Sequence, residues 1–182
     1  MMLTRRDLDI ISFLEDYRIA TTSTIAKIFF PTDNACRKRL KTLADNNKVK
    51  RARMTMNYDY MYYVKKPSKI PHDLLVTEFY QLLMLNSKVI HFKIDTELGN
   101  IRPDAIFAFE KNNKQYLGLL EVEISNKGFD YDKYNKFYKS SAYIEFFPIM
   151  PTIYVVSNTA KIPRDTPIKF IKIETNMNDF RL

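Results

Sequence analysis

Four carboxylates stand where the surrounding pattern calls for apolar side chains. Glu78 shares a helical face with Leu75, Phe79 and Leu82, and Asp104 follows Arg102-Pro103 at the head of the run Ala-Ile-Phe-Ala-Phe. Glu121 and Glu123 are two residues apart in Leu119–Ser125 and project from the same side of an extended chain. A carboxylate set into an apolar element is costly unless it is paired, protonated or bound to a cation. Three or four converging oxygen ligands would suit Mg²⁺ or Mn²⁺. A pair with Arg102, Lys133 or Lys136, or a solvated strand end, would instead make the same residues structural.

A second set of residues has the chemistry to hold a polyanion. Between Asn34 and Arg53 there are eight basic residues (Arg37, Lys38, Arg39, Lys41, Lys48, Lys50, Arg51, Arg53) and one acid, Asp45. That window is +7 in a chain whose net charge is +8, and the residues after Lys66 sum to +1. A positive field this local argues for a docking surface rather than general solubility. At 100° per residue, Cys36, Leu40 and Leu43 fall within an arc of about 60°, and Asn34, Arg37, Lys38, Lys41 and Asp45 within about 100° on the opposite side. One face packs and the other is basic, as a helix entering a major groove requires. Arginine bonds guanine bidentately, asparagine bonds adenine, and lysine mostly meets phosphate. A merely solvated charged face is the bland alternative.

The elements that must position these groups follow from spacing and caps. Thr4 with Asp7 three residues later opens a helix whose apolar face is Ile10, Phe13, Leu14 and Tyr17. Thr21 or Thr22 caps a short helix that buries Ile25, Ile28 and Phe29 and stops at Pro31. Thr32 or Asp33 caps a third, running to about Asp45. Three short helices with tight turns fit a helix-turn-helix. Strands Val49–Met54 and Tyr58–Val64 around Thr55-Met56-Asn57 then form a wing, with Arg51 and Arg53 on one side of its first strand.

The polar, proline-bracketed stretch Lys65–Pro71 marks the boundary between a winged-helix domain at 1–66 and a second domain at 72–182. The second reads as a helix His72–Asn86, then strands near Val89–Ile94, Ile101–Phe109 and Gln115–Ser125. A helix Phe129–Phe146 and strands Thr152–Val156 and Ile168–Ile173 follow. The order αβββαβ, with a further strand, makes one mixed sheet covered by helices, so the expected fold class is α+β.

Composition excludes several classes. With Cys36 as its one cysteine the chain makes no internal disulfide, and Cys36 with His72 and His91 cannot form a Cys/His zinc cluster. Three glycines leave no room for a glycine-rich phosphate loop. The start, Met-Met-Leu-Thr-Arg-Arg-Asp, lacks a secretory apolar region, and no stretch approaches the roughly 18 apolar residues of a spanning helix. The expectation is a soluble cytoplasmic protein with no membrane partner.

A helix, then Arg102-Pro103-Asp104, then Glu121-Val122-Glu123, in αβββαβ order, resembles the PD-(D/E)xK nuclease superfamily. The resemblance implies a restriction-endonuclease-like domain in which Asp104 and Glu121 hold a divalent metal. Glu123 stands where that superfamily places its lysine, and a basic residue would have to come from the next helix, Lys133 or Lys136. The nuclease version therefore assigns catalysis to Asp104, Glu121 and Lys136, and metal ligation to Glu78, Asp104, Glu121 and Glu123, with Mg²⁺ as cofactor. Without that lysine the domain is a degenerate nuclease fold and needs no cofactor. The chain as a whole is similar to the replication-relaxation family of plasmids and other mobile elements. That family couples an N-terminal winged helix to a domain with an RPD stretch, an acidic EV(D/E) strand, and a following helix with Lys and Tyr, here Lys133-Tyr134-Asn135-Lys136.

This resemblance implies a DNA-binding accessory protein of mobile-element replication or transfer, with replication or relaxosome proteins as partners. The DNA contacts expected are Asn34, Arg37, Lys38, Lys41, Lys48, Arg51 and Arg53, on double-stranded DNA. A metal-dependent endonuclease and a repressor with a C-terminal dimerisation or effector domain are the competing classes. A long DNA site would call for a homodimer, although no heptad seam is visible. Two aromatic groups complete the inventory: Phe129–Lys139, where aromatics alternate with lysines, and Tyr58, Tyr60, Tyr62 and Tyr63 beside the wing. Either could stack on single-stranded bases or simply pack. No paired-histidine motif accompanies the tyrosines, which argues against a nicking relaxase.

Overall fold

The computed structural model describes residues 1–55, 58–125 and 128–182. Met56 and Asn57, at the tip of the expected wing, lie outside the described residues. The fold is α+β and divides into two compact units, Met1–Gln81 and Leu82–Leu182.

In the first unit, α1 (Arg5–Tyr17) starts on a reciprocal cap. Asp7 N–H donates to Thr4 Oγ1, and the Asp7 carboxylate accepts from Thr4 N–H at 2.6 Å. β1 (Ala20–Thr21) leads into α2 (Thr22–Phe29), capped by Thr21, and then α3 (Asp33–Asp45), capped by Thr32. Asn46 ends α3 and Asn47 takes a left-handed φ of 55°, a conformation asparagine tolerates where glycine is lacking. β2 (Lys50–Ala52) and β3 (Met61–Tyr63) pair antiparallel, and β1 joins the other side of β3, giving the order β1-β3-β2.

The predicted strands are longer than the observed ones because the pairing register ends at Lys50↔Tyr63 and Ala52↔Met61. The core of this unit is Ile10, Phe13, Leu14, Ile25, Cys36, Leu40, Leu43, Val49 and Tyr62. Cys36 is buried there as expected, and burial pushes its thiol up to about 12.

The polar stretch before Ile70 is not where the two units divide. α4 (Ile70–Asn86) begins within it, with Pro71 in its first turn, where a missing N–H costs nothing. The division falls inside α4, after Gln81. The first part of α4 is held to the first unit by its own chemistry. Asp73 pairs with Arg18 at 3.4 Å, and Tyr80 lies 4.8 Å from Tyr17 and 5.8 Å from Phe13, ring centre to centre. Ile70 and Leu74 pack on Ile19, Met61 and Tyr63.

The second unit is a five-stranded mixed sheet in the order β4-β5-β6-β7-β8. β4 (Lys88–Ile94), β5 (Ala105–Lys111) and β6 (Lys114–Val122) run antiparallel, whereas β7 (Thr152–Val156) and β8 (Phe170–Ile173) run parallel to β6. The parallel step from β6 to β7 needs a crossover, and α5 (Tyr131–Lys139) supplies it. The helix expected over Phe129–Phe146 stops at Lys139. Ser141 adopts a left-handed φ of 58°, and a short 3-10 turn, Ala142–Glu145, follows.

Tyr134 and Phe137 of α5 bury against Ile106, Leu119, Ile153 and Val155 on one face of the sheet. The opposite face carries aromatics, Phe107 stacking between Phe92 and Phe109. Phe107 lies directly over its register partner Gly118, where any Cβ would collide with the ring. Among the described residues no helix is long and apolar enough to cross a membrane.

Candidate nucleic-acid interface and carboxylate site

The basic set is assembled as its spacing predicts. In α3, Cys36, Leu40 and Leu43 are fully buried, while Asn34, Arg37, Lys38 and Lys41 are exposed. Lys48, Arg51 and Arg53 are exposed on the turn and hairpin that follow. Arg39 leaves the set. It lies on the α1 side of α3, where its Nε donates to Asp7 at 2.7 Å and its second nitrogen bonds the other carboxylate oxygen. One of the eight window cations is therefore spent inside the fold.

Ion pairs order two of the remaining cations. Asp45 accepts from Lys41 at 2.6 Å and lies 3.7 Å from Arg51, tying helix to hairpin. Arg53 stacks its guanidinium over Tyr60, 3.7 Å from the ring centre, and Arg51 lies 5.1 Å from the same ring. Between α3 and the hairpin is an open cleft of about 550 Å³, lined by Arg37, Lys41, Arg51, Arg53, Tyr58, Asp59, Tyr60 and Tyr62. The sequence reading located its cations. It left open whether the tyrosines face them, since packed and exposed tyrosines in alternating strands look alike.

The carboxylates are distributed differently from the expectation. Glu78 belongs to the first unit, where burial raises its pKa and Lys27 opposes the rise. Asp104 and Glu121 lie close enough to act on each other electrostatically. Asp104 Oδ2 accepts from the backbone N–H of Val122 at 2.7 Å, which places it against the end of β6. Glu121 accepts at Oε1 from Lys133 Nζ at 2.7 Å and from the Tyr134 hydroxyl. Glu123, beyond the end of β6, accepts from Ser125 N–H at 2.6 Å and from the Ser125 hydroxyl at 2.5 Å.

The lysine bonded to Glu121 is thus Lys133, in the first turn of α5. Lys136, the residue expected in the nuclease version, is exposed. Tyr134 was missed as a partner. Besides its place in the Lys133–Lys136 motif, its signal was Phe137 one turn later, which puts both on the packed face of α5 and leaves the buried hydroxyl in need of an acceptor.

Burial pushes the Glu121 carboxyl above its ordinary range, and the Lys133 ammonium pulls it back. Burial and the Glu121 charge push the Tyr134 hydroxyl well above 10, so it stays a donor. Oε1 of Glu121 already has two donors and Oδ2 of Asp104 has one. Among the described residues no three His, Cys, Asp or Glu side chains are placed to hold a metal ion.

No family model, characterised protein or solved structure matches this chain.

The pair has a measurable consequence. With Lys133→Met, Glu121 keeps its tyrosine bond but loses its counter-charge. The side chains are 13% and 28% exposed, so the cost should be roughly 1–3 kcal/mol at pH 7, below that of a fully buried pair. A carboxyl whose folded pKa is raised imposes its cost above that raised pKa and loses it as pH falls to the unfolded value. The difference between variant and wild type should therefore shrink from pH 7.5 to pH 4.5 in urea unfolding followed by circular dichroism. An equal loss at both pH values would assign the effect to packing of the lysine stem.

Proposed function

We propose that the first unit is a winged helix-turn-helix that binds duplex DNA, with α3 in the major groove and the β2–β3 hairpin as its wing. The observation that carries this reading is the division of α3. Cys36, Leu40 and Leu43 are fully buried, while Asn34, Arg37, Lys38 and Lys41 stand exposed beside Arg51 and Arg53 of the hairpin. The order α1-β1-α2-α3-β2-β3 with sheet order β1-β3-β2 supports it. In this reading Asn34 and Arg37 address base edges, and Lys38, Lys41, Lys48, Arg51 and Arg53 hold phosphates.

The second unit, read as a restriction-endonuclease-like domain from its αβββαβ order, serves assembly or partner contact rather than cleavage. The Glu121–Lys133–Tyr134 cluster supports that choice, because its donors satisfy the carboxylate from within. Together with the resemblance to the replication-relaxation family, this makes the chain a DNA-binding accessory protein of mobile-element replication or transfer.

The test is fluorescence anisotropy on a labelled duplex across a salt series. Five cations on phosphates would give a log–log slope of about −4.5. A slope near zero, or no binding at low salt, would sink the proposal.

A further inference from the structure

We infer that the cleft between α3 and the β2–β3 hairpin seats one unpaired nucleotide, so that the protein prefers a duplex bearing a single-stranded end to a blunt duplex. This rests on the DNA-binding reading above and names the DNA structure that the same surface selects.

A duplex groove is entered by a convex element, and α3 provides one. The cleft beside it is concave, and its volume of about 550 Å³ lies within the ~300–1,000 Å³ typical of sites that enclose a small ligand. A base pair held in a duplex cannot enter such a space, but a base turned out of the stack can. The lining suits that occupant. Four cations, Arg37, Lys41, Arg51 and Arg53, stand against one acid, Asp59. That acid is committed elsewhere, accepting from Ser23 N–H at 2.8 Å and from Tyr60 N–H at 3.0 Å. The lining is net positive, with Arg37 and Arg53 beside Lys41 and Arg51, and the last two reach a phosphate by leaving Asp45.

The aromatic part is equally specific. Tyr58 is 62% exposed and lines the cleft, so its ring is open to a base there. Arg53 holds its guanidinium carbon 3.7 Å from the Tyr60 ring centre, and a guanidinium beside a ring widens the surface on which a base can stack. Ring and guanidinium bind any base by its face, so the preference should depend on the presence of a base and little on which base it is.

The experiment compares three labelled DNAs in anisotropy titrations of the full chain: a blunt duplex, the same duplex with a short thymidine overhang, and the same with an abasic overhang. Wild type should bind the thymidine overhang about tenfold more tightly than the blunt end, the size of one base stacked on an aromatic ring, and the abasic overhang should lose that gain. Tyr58→Ala should abolish the preference and leave blunt-duplex affinity unchanged, whereas Tyr58→Phe should retain it.

Equal affinity for blunt and overhanging DNA would overturn the inference while leaving duplex binding intact. A preference that survives both Tyr58→Ala and the abasic overhang would also overturn it, since only charge would then be at work. Tyr58-dependent binding of free thymidine monophosphate with no gain from the overhang would assign the cleft to a free nucleotide and overturn the junction preference. Absence of all DNA binding would instead remove the reading on which the inference stands.

Discussion

Replacing Arg37 and Lys41 together by alanine should weaken duplex binding by roughly 30- to 100-fold near 0.1 M salt, the combined effect of one base-reading arginine and one phosphate lysine. Both side chains are exposed on the basic face of α3 and both line the cleft beside the hairpin. The salt slope should flatten by up to about 0.9, the contribution of the one phosphate that Lys41 holds. The change falls short of that full value to the extent that Asp45, which already holds Lys41 at 2.6 Å, must release it to phosphate. Removing Lys114 and Lys139, exposed lysines of the second unit, should change neither affinity nor slope. Anisotropy at several salt concentrations measures both quantities. An unchanged slope in the Arg37/Lys41 double variant would show that α3 does not face the DNA.

The second large effect is on stability. Asp7 is fully buried, and its carboxylate does two things at once: it caps the start of α1 through Thr4 and pairs with Arg39 of α3. The Arg39 hydrogen bonds, against the penalty of burial, hold its pKa down to about 2 from an ordinary 3.8. At ~1.4 kcal/mol per pH unit that shift, to which the bonds from Thr4 already contribute, stands for about 2 kcal/mol. Asp7→Ala should therefore cost about 2 kcal/mol at pH 7 in urea unfolding followed by circular dichroism.

The sign of its pH dependence follows. A carboxyl with a depressed folded pKa contributes stability above its unfolded pKa and loses it as pH falls through the folded value. The gap between wild type and Asp7→Ala should thus hold above pH 5 and close between pH 4 and pH 2. A gap that does not change with pH would mean that the ion pair is not its source. Arg39→Ala should reproduce most of the loss at pH 7, because it removes the other end of the same pair.

Much of the first unit was readable without coordinates, and the reason is that its signals are local. Thr4, Thr21 and Thr32 cap helices through N–H groups three residues away. The buried and basic faces of α3 follow from helical rotation alone. The β7 bounds Thr152–Val156 match the apolar run because a strand bordered on both sides is a continuous apolar segment. The boundary inside α4 was not readable. The polar residues before Ile70 look like a linker, but the contacts of Ile70, Asp73, Leu74 and Tyr80 bind the start of that helix to the first unit.

Charge partners mark the same division. The amino-acid order by itself determined where the positive field lies, which face of α3 carries it, and that carboxylates enter apolar strands. It could not say which lysine meets Glu121. Lys133 and Lys136 sit one turn apart on one helix, and the choice depends on how α5 is rotated as Tyr134 and Phe137 bury against the sheet. Nor could it say that Arg39 turns toward Asp7, 32 residues away, or that Asp45 bridges α3 to the hairpin. Caps and amphipathic faces are set within a turn or two of the chain. Ion pairs are set by distances between elements, and those exist only after the core has packed.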